Sequence, residues 1–351
     1  GTDVADLTVM TWNVQNLFPA GHPDGPTTQQ DYDDKVAALA GVSNAVEPDV
    51  LALQEVGPEQ VLADLNAACS IDFDHRLVGM PDGRGIRVAV MSPRRLSHRA
   101  DVTTYPQGLL PVQSRDLIFD DPATAQNEAL SDALGRGVLS ATVRAGGQTV
   151  TVMVAHLKSK LVSYARQPGV VGGSTFAPND EGERLRYAGY ALYRRTAEAM
   201  TCRATLDAVL AADGNQPGEG LGTGGTKPVI FCGDLNDEPL AATTQIIQGP
   251  GGSEIDFRPG SGFRTGDNGD GYRMWNLYRL LPPEGPNYSR IYRGRGELID
   301  HIFASHRLVN PDNIPAVEIV AASPLPSMTD DPTPQTSAPS DHAAVVATFN
   351  F

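Results

Sequence analysis

Short runs of apolar residues alternate along this chain with longer segments in which apolar residues recur every three or four positions. Apolar runs are typical of buried strands, and the wider spacing is typical of helices that bury one face. Helices are therefore predicted at 29–46, 58–69 and 182–210. Strands are predicted at 7–14, 49–56, 76–80, 87–91, 228–237, 296–305 and 340–349, with a hairpin at 137–157 that turns at two adjacent glycines.

The predicted elements mix hairpins with buried strands separated by helices. This arrangement favours an α/β (α+β) fold in which two mixed β-sheets pack together and are flanked by helices. Gly- and Pro-rich loop insertions are predicted near 213–226, 249–271 and 323–339. None of these loops cuts off a segment large enough to form a second core, so residues 1–351 are predicted to form a single domain.

The composition is that of a globular protein, with 40% hydrophobic residues and a net charge of -15. This charge argues against attraction of the whole protein to a polyanion, although it allows a local basic groove. No apolar run approaches the roughly 20 residues of a membrane-spanning helix. The odd count of three cysteines and the lack of a leader favour the cytoplasm. A start without Met leaves a processed, secreted protein open.

Polar residues stand where five of the predicted strands end or begin, and all of them are Asn, Asp, Glu or His. They are Asn13, Glu55, His156, Asp234, Asn236, Asp341 and His342. One polar strand end usually just reaches solvent, but binding and catalytic sites form where several strand ends converge. The recurrence therefore predicts a single reaction centre.

These residue types suit the hydrolysis of a phosphodiester. The substrate is already negative, and a hard divalent cation held by carboxylate and amide oxygens offsets the charge that develops during reaction. Mg²⁺ or Mn²⁺ fits such donors, and no Cys or His cluster indicates zinc. A base must still activate the water, and a His beside a carboxylate can stay protonated and face a phosphate oxygen.

Six motifs extend this interpretation over nearly the whole chain: TWNVQNL, LALQEV, AHLKS, VIFCGDLND, LIDHIF and PSDHAAV. In this order they resemble the endonuclease/exonuclease/phosphatase superfamily, which includes DNase I-like and exonuclease III-like enzymes. The residues of these motifs are most similar to those of bacterial nuclease-like members of the superfamily. The resemblance implies a four-layered α/β sandwich and a metal-dependent phosphoesterase.

The resemblance also implies a role for each motif residue. Glu55 would be the principal metal ligand, with Asn13 holding the metal cluster and Asp341 as a second ligand. The catalytic residues would be Asp234, Asn236, His342, His156 and Asp300. Asp234 would orient or deprotonate the attacking water, and Asn236 would bind that water or a phosphoryl oxygen. His342, fixed by Asp300, and His156 would contact the phosphate.

Four further residues are candidates for substrate binding: Asn13, Arg136, Lys158 and Arg293. Arg136 and Lys158 lie next to strand ends, and Arg293 lies among arginines and tyrosines at 288–295 that could meet phosphates and bases. Solvated surface charges remain an alternative for all three basic residues. His301 follows Asp300 on a predicted strand and so points to the opposite face, which indicates a structural role.

Three functions remain open from the sequence. The first is a nuclease that cleaves DNA or RNA, and the second is a phosphatase or phosphodiesterase acting on a small or lipid-linked phosphate. The third is an inactive binding module with the same fold. A long positive groove would favour the nuclease, and a closed deep pocket would favour a small substrate. No protein partner is predicted.

Overall fold

The computed structural model describes residues 6–109, 111–116, 130–161, 173–174, 177–178, 180–250, 271–309, 314–329 and 339–351. Most of the insertion predicted at 249–271 and much of that at 323–339 lie outside these residues. The insertion predicted at 213–226 is described and consists of turns between the third helix and the strand that follows it.

Two six-stranded sheets form the body of the molecule. The first has the order β17-β19-β1-β2-β4-β3. Its strands are β1 (Asp6–Leu17), β2 (Val50–Val56), β3 (His75–Val78), β4 (Arg87–Ser92), β17 (Ala316–Val320) and β19 (Ala344–Asn350). β1 and β2 are parallel, whereas β19 lies antiparallel to β1. The last predicted strand thus begins at Ala344, after the polar residues at 341–342.

The second sheet has the order β13-β16-β12-β9-β8-β5. Its strands are β5 (Ser97–Thr104), β8 (Ala133–Ala145), β9 (Gln148–His156), β12 (Val229–Asp234), β13 (Met274–Asn276) and β16 (Asp300–Ser305). β9 and β12 are parallel, and the β8–β9 hairpin turns at Gly146 and Gly147 as predicted. Short strands complete the set: β6 (Val112–Gln113), β7 (Leu130–Ser131), β10 (Gly173–Ser174), β11 (Ala177–Pro178), β14 (Arg290–Tyr292), β15 (Arg295–Glu297) and β18 (Ser327–Met328).

Within the described part of the chain, four α-helices cover the outer faces of the two sheets: α1 (Gln29–Val46), α2 (Gln60–Ala68), α3 (Glu181–Leu210) and α4 (Ala242–Gln248). Thr28 and Asp180 cap the first turns of α1 and α3 through their side chains, which accept hydrogen bonds from backbone N–H groups. None of the described helices is both long enough and apolar enough to cross a membrane.

The alternation of side chains along each strand builds three buried layers. Val9 and Ile230 point into the layer between the two sheets. Their neighbours Met10 and Phe231 point outward, the first toward α1 and α2 and the second toward α3 and α4. The order helices, sheet, sheet, helices confirms the predicted four-layered α/β sandwich.

Candidate active site

Polar side chains from both sheets meet where the parallel pairs β1–β2 and β9–β12 end. Asn13 lies on β1 and Glu55 on β2, while His156 and Asp234 are the last residues of β9 and β12. The carboxyl ends of parallel strands share one edge of a sheet, so each sheet brings its own pair together. The antiparallel neighbours contribute to the same place from their starts, with Asp300 opening β16 and residues 341–342 preceding β19.

Asn13 links the two sheets at this place. Its amide nitrogen donates to Glu55 Oε1 at 3.1 Å, within the first sheet, and to Asp234 Oδ2 at 2.9 Å, in the second sheet. Its amide oxygen accepts from the backbone N–H of Gln15 at 2.9 Å. Because Asn13 and Asp234 are almost fully buried, these bonds fix the distance between the two strand ends.

Two of the site residues hold a backbone conformation that non-glycine residues rarely adopt. Glu55 has φ of 59° and Asn236 has φ of 53°. The pairing of β2 with β1 and with β4 shifts register around Glu55, as at a bulge, and bulges re-aim side chains. Each residue in this conformation destabilises the fold by on the order of 1–3 kcal/mol, so the conformation persists only where surrounding contacts hold it. Glu55 accepts from Asn16 N at 2.8 Å, and Asn236 donates to the Leu157 carbonyl at 2.9 Å.

His342 and Asp300 form the shortest side-chain contact between the sheets at this site. His342 Nδ1 lies 2.7 Å from Asp300 Oδ2, and its Nε2 lies 3.8 Å from Asp234 and 3.9 Å from Asp341. Burial alone lowers the pKa of His342, but the Asp300, Asp341 and Asp234 carboxylates outweigh it and raise the pKa well above its usual value. The raised pKa favours the protonated ring, and the contact with Asp300 holds the ring in one orientation.

Three further hydrogen bonds hold the segment that carries His342 in place. Ser340 Oγ donates to the Asn13 carbonyl at 2.6 Å and accepts from His342 N at 3.0 Å. Trp12 Nε1 donates to the His342 carbonyl at 2.9 Å. Neither Ser340 nor Trp12 was predicted as a site residue, although both lie inside motifs that were recognised. Their position one residue from Asp341 and from Asn13 was the available signal.

Two cations stand beside Asp341. The Lys35 amine, from α1, donates to the Pro339 carbonyl and lies close enough to Asp341 and Glu55 to interact with both charges. Arg290 Nε lies 3.6 Å from Asp341 Oδ2. Sequence reasoning missed Lys35, because nothing in the pattern of α1 distinguishes it from a surface lysine. Arg290 belonged to the basic group noted at 288–295 but was not selected.

His156 is held from several sides. Its Nε2 lies 3.5 Å from Asp234 Oδ2, and burial together with the positive charge of Arg136 lowers its pKa well below the usual value. His156 is therefore neutral. Arg136 donates to the His156 carbonyl at 3.2 Å and pairs with Asp82 at 2.7 Å. The Arg136 guanidinium thus braces the end of β9 in this structure.

Helix α3 holds the backbone of Lys158, two residues after His156. Glu198 accepts from Lys158 N at 2.6 Å, and Arg195 Nη1 donates to the Lys158 carbonyl at 3.1 Å. Arg195 also pairs with Asp237 at 2.7 Å, and both side chains are nearly buried. One helix therefore holds both the segment after β9 and the segment after β12.

The remaining candidates lie apart from this cluster in the described contacts. The Lys158 amine bonds the carbonyls of Ser159 and Leu161 at 3.0 and 2.8 Å. The Arg293 guanidinium lies over the Tyr292 ring, 5.5 Å from its centre, at the turn between β14 and β15. His301 is buried and points away from Asp300, with Nε2 2.8 Å from the Asp237 carbonyl and Nδ1 3.3 Å from the Asn276 amide.

The donor set of the site suits a divalent cation. Ligand atoms of Asp234, Asp300 and His342 lie within 4.8 Å of one another, which makes them an acidic cluster. The hydrogen bond between His342 Nδ1 and Asp300 Oδ2 already engages two of these three side chains. Glu55 and Asp341 fit better: burial raises the pKa of Asp341, and the nearby Glu55 charge adds to that effect. A cation between two such carboxylates relieves their repulsion, and carboxylate oxygens are hard donors.

Comparisons with known proteins agree with this geometry. A model of the Endonuclease/Exonuclease/phosphatase family matches residues 10–342. Truncated TDP2 of Caenorhabditis elegans is 15% identical, with a TM-score of 0.53 over 99% of this chain and 98% of that chain. TDP2 of D. rerio, complexed with a single strand DNA product, is 17% identical, with a TM-score of 0.50 over 99% of both chains.

A mannosyl-6-phosphatase of Bacteroides thetaiotaomicron is 13% identical, with a TM-score of 0.54 over 98% of this chain and 100% of that chain. At sequence identities this low, the similarity to these solved structures establishes the fold and nothing more. No curated protein matches the chain.

Proposed function

Because the chain belongs to the endonuclease/exonuclease/phosphatase family, whose members hydrolyse phosphate esters, we propose that it is a divalent-metal-dependent phosphodiesterase and specifically a nuclease. Water attacks the phosphorus of a phosphodiester, and the bond from phosphorus to one alcohol oxygen breaks. The substrate is DNA or RNA.

The buried His342–Asp300 pair, facing Asp234, is the observation that carries this proposal. An imidazolium fixed by a carboxylate is a preorganised donor, and such donors stabilise charge that develops on oxygen in a transition state. In this role His342 donates a hydrogen bond to a phosphoryl oxygen. Asp300 keeps the imidazolium charged and prevents the ring from rotating.

The neighbouring residues act on the water and the phosphate. Asp234 orients the attacking water and accepts its proton, while Asn236 binds that water or a phosphoryl oxygen. Neutral His156 donates a second hydrogen bond to the phosphate. Contacts to Asn13 and Asn236 N at 2.9 Å hold the Asp234 carboxylate in place before substrate binds.

Glu55, Asn13 and Asp341 would hold Mg²⁺ or Mn²⁺. When bound, such an ion stabilises the negative charge on the phosphoryl oxygens, and it does so without a proton being transferred. Basic groups around the centre would receive the rest of the substrate. Arg290 stands beside Asp341, and Arg293, Arg136 and Lys158 are further candidates.

A phosphatase or phosphodiesterase acting on a small or lipid-linked phosphate is the second candidate. The net charge of -15 favours it, since bulk repulsion weakens binding of a long polyanion more than binding of a small ester.

Hydrolysis assays separate these functions. Plasmid DNA, short single strands and bis-p-nitrophenyl phosphate are incubated with Mg²⁺, Mn²⁺ or EDTA, using wild type, Glu55→Ala and His342→Ala. Glu59→Ala, in an exposed residue just beyond Glu55, is the matched control. Metal-dependent cleavage of nucleic acid that only the two site variants lose supports the nuclease. Cleavage of the small diester alone supports the second candidate. No turnover by folded wild type with either metal contradicts both and leaves a binding module.

A further inference from the structure

An open cleft, partly lined by the segments that carry the proposed centre, is not used by the chemistry above. Its volume is about 680 Å³, within the range of small-molecule sites. Its lining includes the exposed Leu240, the partly buried Tyr278 and the buried Leu298, together with Pro239 and Pro282. A smaller cavity continues it past Tyr278.

The walls of this cleft are built on the segments that carry the reaction centre. Glu238 follows Asn236 by two residues, and Leu298 precedes Asp300 by two. Two residues span at most roughly 7 Å of chain, so a group bonded to the scissile phosphate can reach the cleft.

His301 connects the segment that carries the centre to a residue next to the cleft through hydrogen bonds. It binds the Asp237 carbonyl on one side and the Asn276 amide on the other. The Asn276 side chain in turn accepts from Tyr278 N at 3.2 Å and caps the short 3-10 turn that presents Tyr278. The buried histidine therefore sets the aromatic wall relative to the strand end of Asp234.

We propose that this cleft binds the nucleoside unit of the diester, with its heterocyclic base against the Tyr278 ring. This inference rests on the proposed function and names the group that gives it specificity. The cleft combines an aromatic face and apolar walls with polar side chains at its edges. That combination matches a flat heterocycle, which stacks through its faces and forms hydrogen bonds through its rim.

The charge of the lining argues for a neutral occupant. The cleft has one acid, Glu238, and one base, Arg279, whose guanidinium lies over the Tyr278 ring, 5.6 Å from its centre. A phosphate would need an excess of positive charge. A lipid chain would leave Glu238, Asn287 and Arg279 facing apolar atoms, which is costly. A nucleoside can pack against the apolar side chains and form hydrogen bonds with the polar ones.

The test compares four diesters that share one leaving group. They are the p-nitrophenyl esters of thymidine 5′-phosphate, uridine 5′-phosphate, methyl phosphate and decyl phosphate. Leu240→Ser removes an apolar side chain from the cleft. Because that side chain is 78% exposed, its loss should not disturb the core. Tyr278→Leu removes the aromatic face and keeps an apolar side chain. Leu221→Ser, at a residue 69% exposed in another loop, is the matched control.

Wild type should have a higher kcat/KM for the nucleoside esters than for the methyl ester. Leu240→Ser and Tyr278→Leu should each remove about tenfold of this preference, the size of one base–aromatic stack, and leave methyl ester hydrolysis and Leu221→Ser unchanged. The thymidine and uridine esters distinguish a deoxyribose from a ribose substrate. Equal rates for the nucleoside and methyl esters, or a preference for the decyl ester, would overturn the inference and leave the phosphodiesterase standing. No hydrolysis of any ester overturns the proposed function itself.

Discussion

His342 Nδ1 lies 2.7 Å from the carboxylate of Asp300, although 42 positions separate the two residues. Asp300 opens β16 of the second sheet, and His342 precedes β19 of the first. The pair therefore forms only when the two sheets are packed against each other. It also fixes the orientation of the ring, because the carboxylate accepts the proton on Nδ1 and leaves Nε2 facing Asp234.

Asp300→Asn should lower kcat on bis-p-nitrophenyl phosphate by about 10²–10⁴-fold, because a neutral amide does not stabilise the positive charge of the imidazolium. His342→Gln should cost a similar factor. The double variant should be little worse than either single variant, since the two residues act as one unit. Multiplicative losses in the double variant would show that the residues act independently.

Glu55→Gln should abolish the stabilisation of the folded protein by Mn²⁺. Ligand binding to the folded state raises the free energy of unfolding by RT ln(1 + [L]/Kd), about 2.7 kcal/mol at a hundredfold excess over Kd. We therefore expect Tm of wild type and of Glu59→Gln to rise with Mn²⁺, and Tm of Glu55→Gln to stay constant. Equal shifts in all three proteins would place the ion elsewhere.

Arg195→Met should reduce kcat as well as stability. Removing one partner of a buried ion pair costs roughly 3–5 kcal/mol, here because the Asp237 carboxylate is left unpaired. Lys158 and the end of β9 also lose their brace. Arg203→Met, which breaks the Arg203–Asp207 pair on the same helix, is the control. It should lower Tm and preserve kcat, measured well below both melting temperatures. A normal kcat in Arg195→Met would limit this residue to a structural role.

Gly233→Ala should destabilise the fold severely. Gly233 has φ of 145°, and a Cβ atom there would collide with the carbonyl oxygen of Ala155 on the neighbouring strand. We expect a loss of roughly 3 kcal/mol or more in urea unfolding. Gly41→Ala in α1, where a Cβ atom meets open space, should instead stabilise by about 0.5–1 kcal/mol. A neutral Gly233→Ala would mean that β9 and β12 can separate without cost.

The sequence predicted those parts of the fold that have a strong local signal. The apolar runs of β1, β2 and β12 and the spacing in α1 matched the structure closely. β5 was missed because Ser97–Thr104 is polar and largely exposed, and pairing with β8 rather than apolar content makes it a strand. β17 was also missed, although Val317 and Ile319 alternate with less buried residues.

Some residues of the candidate site could likewise be predicted from a local sequence signal, and others could not. Strand ends and motifs indicated Asn13 and Asp234, because their residue types are unusual after buried strands. Lys35 could not be predicted, since only tertiary packing brings its amine to the Pro339 carbonyl and close to Asp341. The left-handed backbone at Glu55 could not be predicted either, because it depends on a register shift between three strands.

The first and last long strands of this chain are neighbours, with Met10 of β1 opposite Val346 of β19. Trp12 meets the carbonyl of His342 across 330 positions of sequence. Translation proceeds at roughly 5–20 residues per second, so β1 waits on the order of half a minute for its partner. During that interval the nascent chain holds Asn13 and Glu55 without His342. The sheet that carries Asn13 and Glu55 is therefore completed, and His342 brought to them, only after the last strand has been synthesised.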